Sequence, residues 1–187
     1  MARLIYSMIG SLDGYVADSS GNFDWAEPDE EVLEYLNEQE RSVGTYLYGR
    51  RIYELMTVWE SDPGSVADTP QSVEFANIWQ AADKIVYSTS LESASTSRTR
   101  IERTFDPAAV EDLKQSSSSD IGIAGPTLAA SAFRAGLVDE FYLLLNPVII
   151  GGGLSIFPPD LTLELRLKSS RRFGNGTVAL QYDVGRR

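Results

Sequence analysis

The chain has 187 residues, 16 Lys and Arg against 27 Asp and Glu, a formal charge of −11, and neither cysteine nor histidine. Those two absences exclude disulfides, thiolate nucleophiles, zinc–cysteine sites, His-ligated metals and the Ser-His-Asp triad, so no metal is expected and proton transfer is left to Asp, Glu, Tyr, Lys or water. The acidic balance disfavours nucleic acid as a partner, and with 43% hydrophobic residues but no run able to span a bilayer, the expectation is one globular domain over residues 1–187, cytoplasmic and away from membranes.

In chain order, Arg3–Ile9 is a predicted buried strand, stopped by Gly10 and the Asp13-Gly14 turn pair. A loop rich in Asp, Ser, Gly and Asn runs to Pro28, and Asp29–Gln39 carries helical spacing with acids in its first turn, where the helix dipole favours them. Thr45–Tyr48 is a short strand ending at Gly49, and Arg50–Met56 opens a second helix. Residues 61–70 look loop-like, Ser72–Ala82 helical, and Lys84–Tyr87 an apolar strand followed by the hydroxyls Ser88, Thr89 and Ser90. Ile101–Phe105 reads as a strand, Pro107–Gln115 as a helix with proline near its first turn, and Ser116–Ser119 as a polar loop. An apolar run, Ile121–Ala124, then meets Gly125, and a helix is predicted over Pro126–Ala135, closed by Gly136. Glu140–Asn146 and Val148–Ile150 suggest a central strand interrupted at Pro147 and ended by Gly151-Gly152-Gly153. Leu163–Phe173 and Thr177–Val184 flank Gly174-Asn175-Gly176, a strong hairpin signal.

Strands alternating with helices imply an α/β fold with a mostly parallel central sheet covered on both faces, and the last hairpin adds an antiparallel edge. In such sheets ligands sit at the carboxyl ends of the strands. Four junctions of that kind stand out: Ser11-Leu12-Asp13-Gly14, Gly49-Arg50-Arg51, Ser88-Thr89-Ser90 and Gly125-Pro126-Thr127-Leu128. Glycine lets backbone approach a ligand, Pro126 is pre-set for a first helical turn, and free helix N–H groups bind phosphate. Arginines beside hydroxyls suit a second phosphate, so together the junctions point to an extended, multiply phosphorylated ligand such as a dinucleotide. Neither a Walker loop nor G-x-G-x-x-G is present. Charge is uneven: residues 1–45 hold ten acids against Arg3 and Arg41, whereas Arg166, Lys168, Arg171, Arg172, Arg186 and Arg187 near the end face only Asp183. Both clusters suit solvated surface, and the arginines could also meet an anion or a partner chain.

Four stretches, "SLDGYVA", "YGRRIYE", "KIVYSTSL" and "IGIAGPTLAASAFRAGLVDEFYLLLNPVIIGGGLSIF", resemble the dihydrofolate reductase-like superfamily. Within it the chain is most similar to the reductase domain of riboflavin-biosynthesis deaminase-reductases, the RibD C-terminal domain family. The resemblance implies a dihydrofolate reductase-like three-layer fold and a stand-alone NADPH-dependent reductase, acting by hydride transfer on a small heterocycle of the pterin, folate or ribosylamino-pyrimidine kind. It puts Gly49, Arg50, Arg51, Ser88, Thr89 and Ser90 beside the adenosine end of NADPH, with its 2′-phosphate, and Gly125, Pro126, Thr127 and Leu128 at the pyrophosphate. Relatives commonly pair, so it also implies a homodimer. Dihydrofolate reductases have adjacent glycines where this chain has Ala124-Gly125, and the deaminase signature H-x-E with P-C-x-x-C cannot exist without His and Cys. On the substrate side "DWAEPDEEVLEYL" resembles W-x-x-P-x-D/E, placing Trp25, Pro28 and Glu30 in matching positions. Glu30 and Asp13 are rival carboxylates for orienting the ring or relaying a proton. Trp25 could cover the ring, and Gly152, within Gly151–Gly153, could line it. A nucleotide-binding sensor with little catalysis is the alternative reading.

Overall fold

A computed structural model describes residues 1–185; Arg186 and Arg187 of the basic cluster lie outside the described residues. The strands are β1 Leu4–Ser11, β2 Tyr15–Ala17, β3 Val43–Gly49, β4 Asp83–Tyr87, β5 Thr99–Glu102, β6 Asp120–Ala124, β7 Glu140–Asn146, β8 Leu154–Ser155, β9 Leu165–Arg172 and β10 Val178–Val184. The helices are α1 Glu30–Glu40, α2 Arg50–Met56, α3 Val58–Ser61, α4 Pro70–Ala81, α5 Pro107–Ser116 and α6 Pro126–Arg134. Eight strands form one sheet in the order β5-β4-β3-β6-β1-β7-β10-β9, and β2 pairs with β8 in a small antiparallel ribbon. From β5 to β7 every pairing is parallel, while β10 is antiparallel to both β7 and β9. This is the α/β three-layer architecture expected of a dihydrofolate reductase-like fold.

The sequence explains the layers. Central parallel strands are buried on both faces, so β1 and β7 are nearly continuous apolar runs. Leu4, Tyr6, Ile121, Ile123, Phe141 and Leu143 pack against Val110 of α5 and Ala129, Ala132 and Phe133 of α6. On the opposite face Val32 and Tyr35 of α1 cover Leu144, Phe173 and Ala179, and Tyr53 and Trp79 of α2 and α4 cover Tyr46, Tyr48 and Val86. Burying a residue of this size removes about 1.5–3 kcal/mol of unfavourable hydration. That drives the chain from each strand's carboxyl end back under the sheet.

The two edges of the sheet are built differently. At the amino edge ion pairs close the surface: Arg3 holds Asp120 and Glu140, and Lys168 Nζ meets Glu140 Oε2 at 2.7 Å. The carboxyl edge is formed by loops, glycines and helix starts.

Three expectations are corrected. Val148–Ile150 is not a strand: Pro147 has no N–H to continue the ladder, the Val148 carbonyl accepts from Leu12 N, and the next amides turn to Asp13. Residues 61–70 are partly helical, with α3 reaching Ser61 and a 3-10 turn at Pro63–Ser65. The β2–β8 ribbon was missed because each strand is too short to show a period.

Candidate functional site

Parallel pairing brings the carboxyl ends of β4, β3, β6 and β1 side by side. The registers Gly49↔Tyr87, Tyr48↔Ala124 and Tyr6↔Ile123 set the four glycine- and hydroxyl-bearing junctions along one edge. The helices leaving that edge differ in their caps. α1, α4 and α5 begin with Asp29, Thr69 and Asp106, each accepting a hydrogen bond from its own first turn. α2 and α6 begin with Gly49 and Gly125 and have no side-chain cap. In α6, nine residues long, the first-turn amides of Thr127 and Leu128 are therefore left to an outside acceptor, with the helix dipole behind them. Leu128 offers only its amide, since its side chain is buried in the core. Gly125 has φ +91°, a conformation L side chains rarely adopt, and a Cβ there would sit 3.3 Å from Ile52 Cγ2.

Next to these helix starts Arg50 Nη1 donates to Ser90 Oγ at 2.9 Å while its Nε bonds Glu54 Oε1 at 2.6 Å. Arg51 is exposed and has no ion pair among the described residues. Thr89 and Ser90 are also exposed, but Ser88 is buried and its Oγ accepts from Ser90 N at 3.2 Å and Leu91 N at 3.0 Å. Ser88 thus folds the loop instead of facing a ligand. Arg103, not singled out from the sequence, clamps the same loop by donating to the Ser88 and Leu91 carbonyls at 2.9 and 2.7 Å. The sequence reading placed Arg103 inside a strand over Ile101–Phe105, whereas β5 ends at Glu102 and leaves Arg103 at its carboxyl end.

At the end of β1, Ser11 Oγ donates to Asp13 Oδ1 at 2.6 Å and accepts from Tyr15 N at 3.0 Å. Asp13 also accepts from Ile150 N at 3.3 Å and Gly151 N at 2.8 Å. Both carboxylate oxygens are engaged. The Ser11 hydroxyl, opposed by partial desolvation and helped by these amides, holds the Asp13 carboxyl below its ordinary range. Its charge pins a loop in which Gly151, Gly152 and Gly153 have φ of +77°, +156° and +136°. A Cβ on Gly153 would run into the Ala17 carbonyl oxygen. Trp25 is half-buried in a 3-10 turn against β1, and Glu30 is the exposed first residue of α1. Glu30 has no hydrogen bond or ion pair among the described residues.

Residues 2–179 match the family model of the RibD C-terminal domain. The chain belongs to the RibD C-terminal domain family. YyaP of Bacillus subtilis strain 168 is 27% identical over 184 residues, covering 96% of this chain and 94% of its own. A candidate riboflavin biosynthesis protein from Shewanella sp. PV-4 superposes with a TM-score of 0.77 at 19% identity over all of both chains. A diaminohydroxyphosphoribosylaminopyrimidine deaminase/5-amino-6-(5-phosphoribosylamino)uracil reductase from Thermotoga maritima does so with a TM-score of 0.64 at 13% identity, covering 98% of this chain and 57% of that one. At these identities the solved structures bear on the fold. Among the described residues no helix is long and apolar enough to cross a membrane.

Proposed function

We propose that this protein is an NADPH-dependent reductase of a small heterocycle. The observation that carries the reading is the uncapped start of α6 at Gly125, beside Gly49 on the neighbouring strand, with Arg50 and Ser90 bonded to each other on the flank. A diphosphate suits the α6 amides, and a ribose 2′-phosphate suits Arg50, Arg51 and the Thr89 and Ser90 hydroxyls. The nicotinamide, when bound, supplies the hydride. The chain's own work is to hold donor and acceptor in register and to keep water out. Glu30, with its oxygens free, orients the ring or passes it a proton through water, with Trp25 and Gly152 beside the ring. Asp13, ionised and fully bonded, positions the loop that carries Gly152. Family membership in the RibD C-terminal domains supports this assignment.

The test is a titration of the purified protein with NADPH and, separately, NADH, followed by nicotinamide fluorescence. NADPH should bind roughly tenfold or more tightly than NADH, and Arg50→Ala should abolish most of that preference, as expected for lost charge-assisted bonds. Binding of neither nucleotide overturns the reading.

A further inference from the structure

If the reductase reading holds, the charge of its second ligand can be argued from the same edge. A phosphate or carboxylate is held by cationic side chains, by unoccupied backbone amides, or by both. On the β3/β4 side Arg51 and the open α6 start are available, with Arg50 shared between Glu54 and Ser90. On the β1/β7 side, built from residues 12–31 and 147–160, the chain has no Lys or Arg between Arg3 and Arg41 and none between Arg134 and Arg166. Arg3 is bound to Asp120 and Glu140 at the opposite edge, and Arg41 to Glu74 beyond the end of α1. Arg171 pairs with Glu31 at 3.3 Å and lies over Phe173. Arg172 is on β9, separated from β1 by β7 and β10, which at about 4.8 Å per strand is about 14 Å.

Several amide donors on that side are already filled by the chain's own carboxylates. Asp13 takes Ile150 N and Gly151 N. Asp18 takes Ser20 N and Asn22 N at 2.8 and 2.9 Å. Asp29 takes Val32 N at 2.9 Å at the α1 start, and Glu31 takes Gly174 N at 3.0 Å. Asp24, Glu27 and Glu30 add negative charge with no cation nearby in the chain. An anionic tail entering here would meet like charge with no Lys or Arg of these segments to hold it, the arrangement that disfavours such a ligand.

We infer that the heterocycle reduced by this protein is neutral or cationic and carries no phosphate or carboxylate tail, unlike the phosphoribosyl substrate in the name of the Thermotoga maritima enzyme. Two probe pairs test this with NADPH present: 5-amino-6-ribosylaminouracil with and without its 5′-phosphate, and dihydrofolate against a dihydropterin lacking the glutamate. The uncharged member of a pair should show kcat/KM higher by roughly tenfold or more, and added salt should narrow the ratio as charge is screened. Preference for the phosphorylated or glutamylated member overturns the inference. So do a ratio indifferent to salt and a failure of all four probes to shift the melting of the NADPH-bound protein. Each of these is distinct from a failure to bind NADPH, which removes the reductase reading itself.

Discussion

Substituting Gly125 by alanine separates backbone conformation from mere space at the α6 start. The residue has φ +91°, and an added Cβ would stand 3.3 Å from Ile52 Cγ2, a contact the side chain can relieve by a few tenths of an ångström. The main cost is therefore the backbone, about 1–3 kcal/mol for a non-glycine residue held in such a region. Alanine returns about 0.4–1 kcal/mol by restricting the unfolded chain, leaving a net loss of about 1–2 kcal/mol. For a chain of this size that is a fall in Tm of about 3–6 °C. Gly49→Ala is the internal control. Gly49 has φ −78°, and its Cβ would be 4.0 Å from Leu128 Cβ. It should melt at or slightly above the parent temperature. Both glycines lie at the starts of α2 and α6, so both substitutions should weaken NADPH. Thermal melts by circular dichroism, paired with the fluorescence titration, read the two effects separately. A Gly125→Ala protein as stable as the parent, with Gly49→Ala destabilised, would refute the conformational argument.

Asp13→Asn should loosen the 150–153 loop, seen as faster amide exchange at Ile150 and Gly151. Because the Asp13 pKa is lowered by folding, its stabilisation is complete above its unfolded value of about 4 and is lost as pH falls through the lower folded value, so the variant should flatten that acid limb; unchanged exchange contradicts the loop role. Glu40 is the reverse. It is 8% exposed, burial raises its pKa against the bond donated by Tyr46 at 2.9 Å, and stability is therefore lost as pH rises from its unfolded value through the folded one. Glu40→Gln should raise the urea midpoint at about pH 8 more than at about pH 4, and an equal effect at both contradicts neutral burial. All eight residues of β9 are exposed, with Leu165 and Leu167 43% and 53% exposed on an edge strand. Such a strand suits the homodimer that the family resemblance implies, which light scattering should detect and Leu167→Asp should dissociate.

The layered α/β fold and the four junctions were legible because their causes are local. Apolar runs with β-branched and aromatic residues make buried strands, and glycine or proline ends them whatever lies elsewhere in the chain. Pro107 near the first turn of α5, and Gly125 before the helix at Pro126, are likewise read in a few residues. Even the charge asymmetry of the two halves is a property of the sequence, since the cation-free stretches 4–40 and 135–165 are there to be counted.

The direction of each polar group depended on partners far along the chain. Ser88 belongs to a hydroxyl-rich stretch suited to phosphate, yet packing of β4 buries it and its oxygen serves its own loop. Asp13 and Glu30 were equivalent as rival carboxylates until parallel pairing of β1 with β7 set Asp13 against Gly151, 138 residues away. Composition and spacing determined which elements form and where the chain can approach a ligand. Only the tertiary structure decided which carboxylates are occupied by the chain's own amides and which stay open, because hydrogen bonds between distant segments exist only once the sheet has fixed their register.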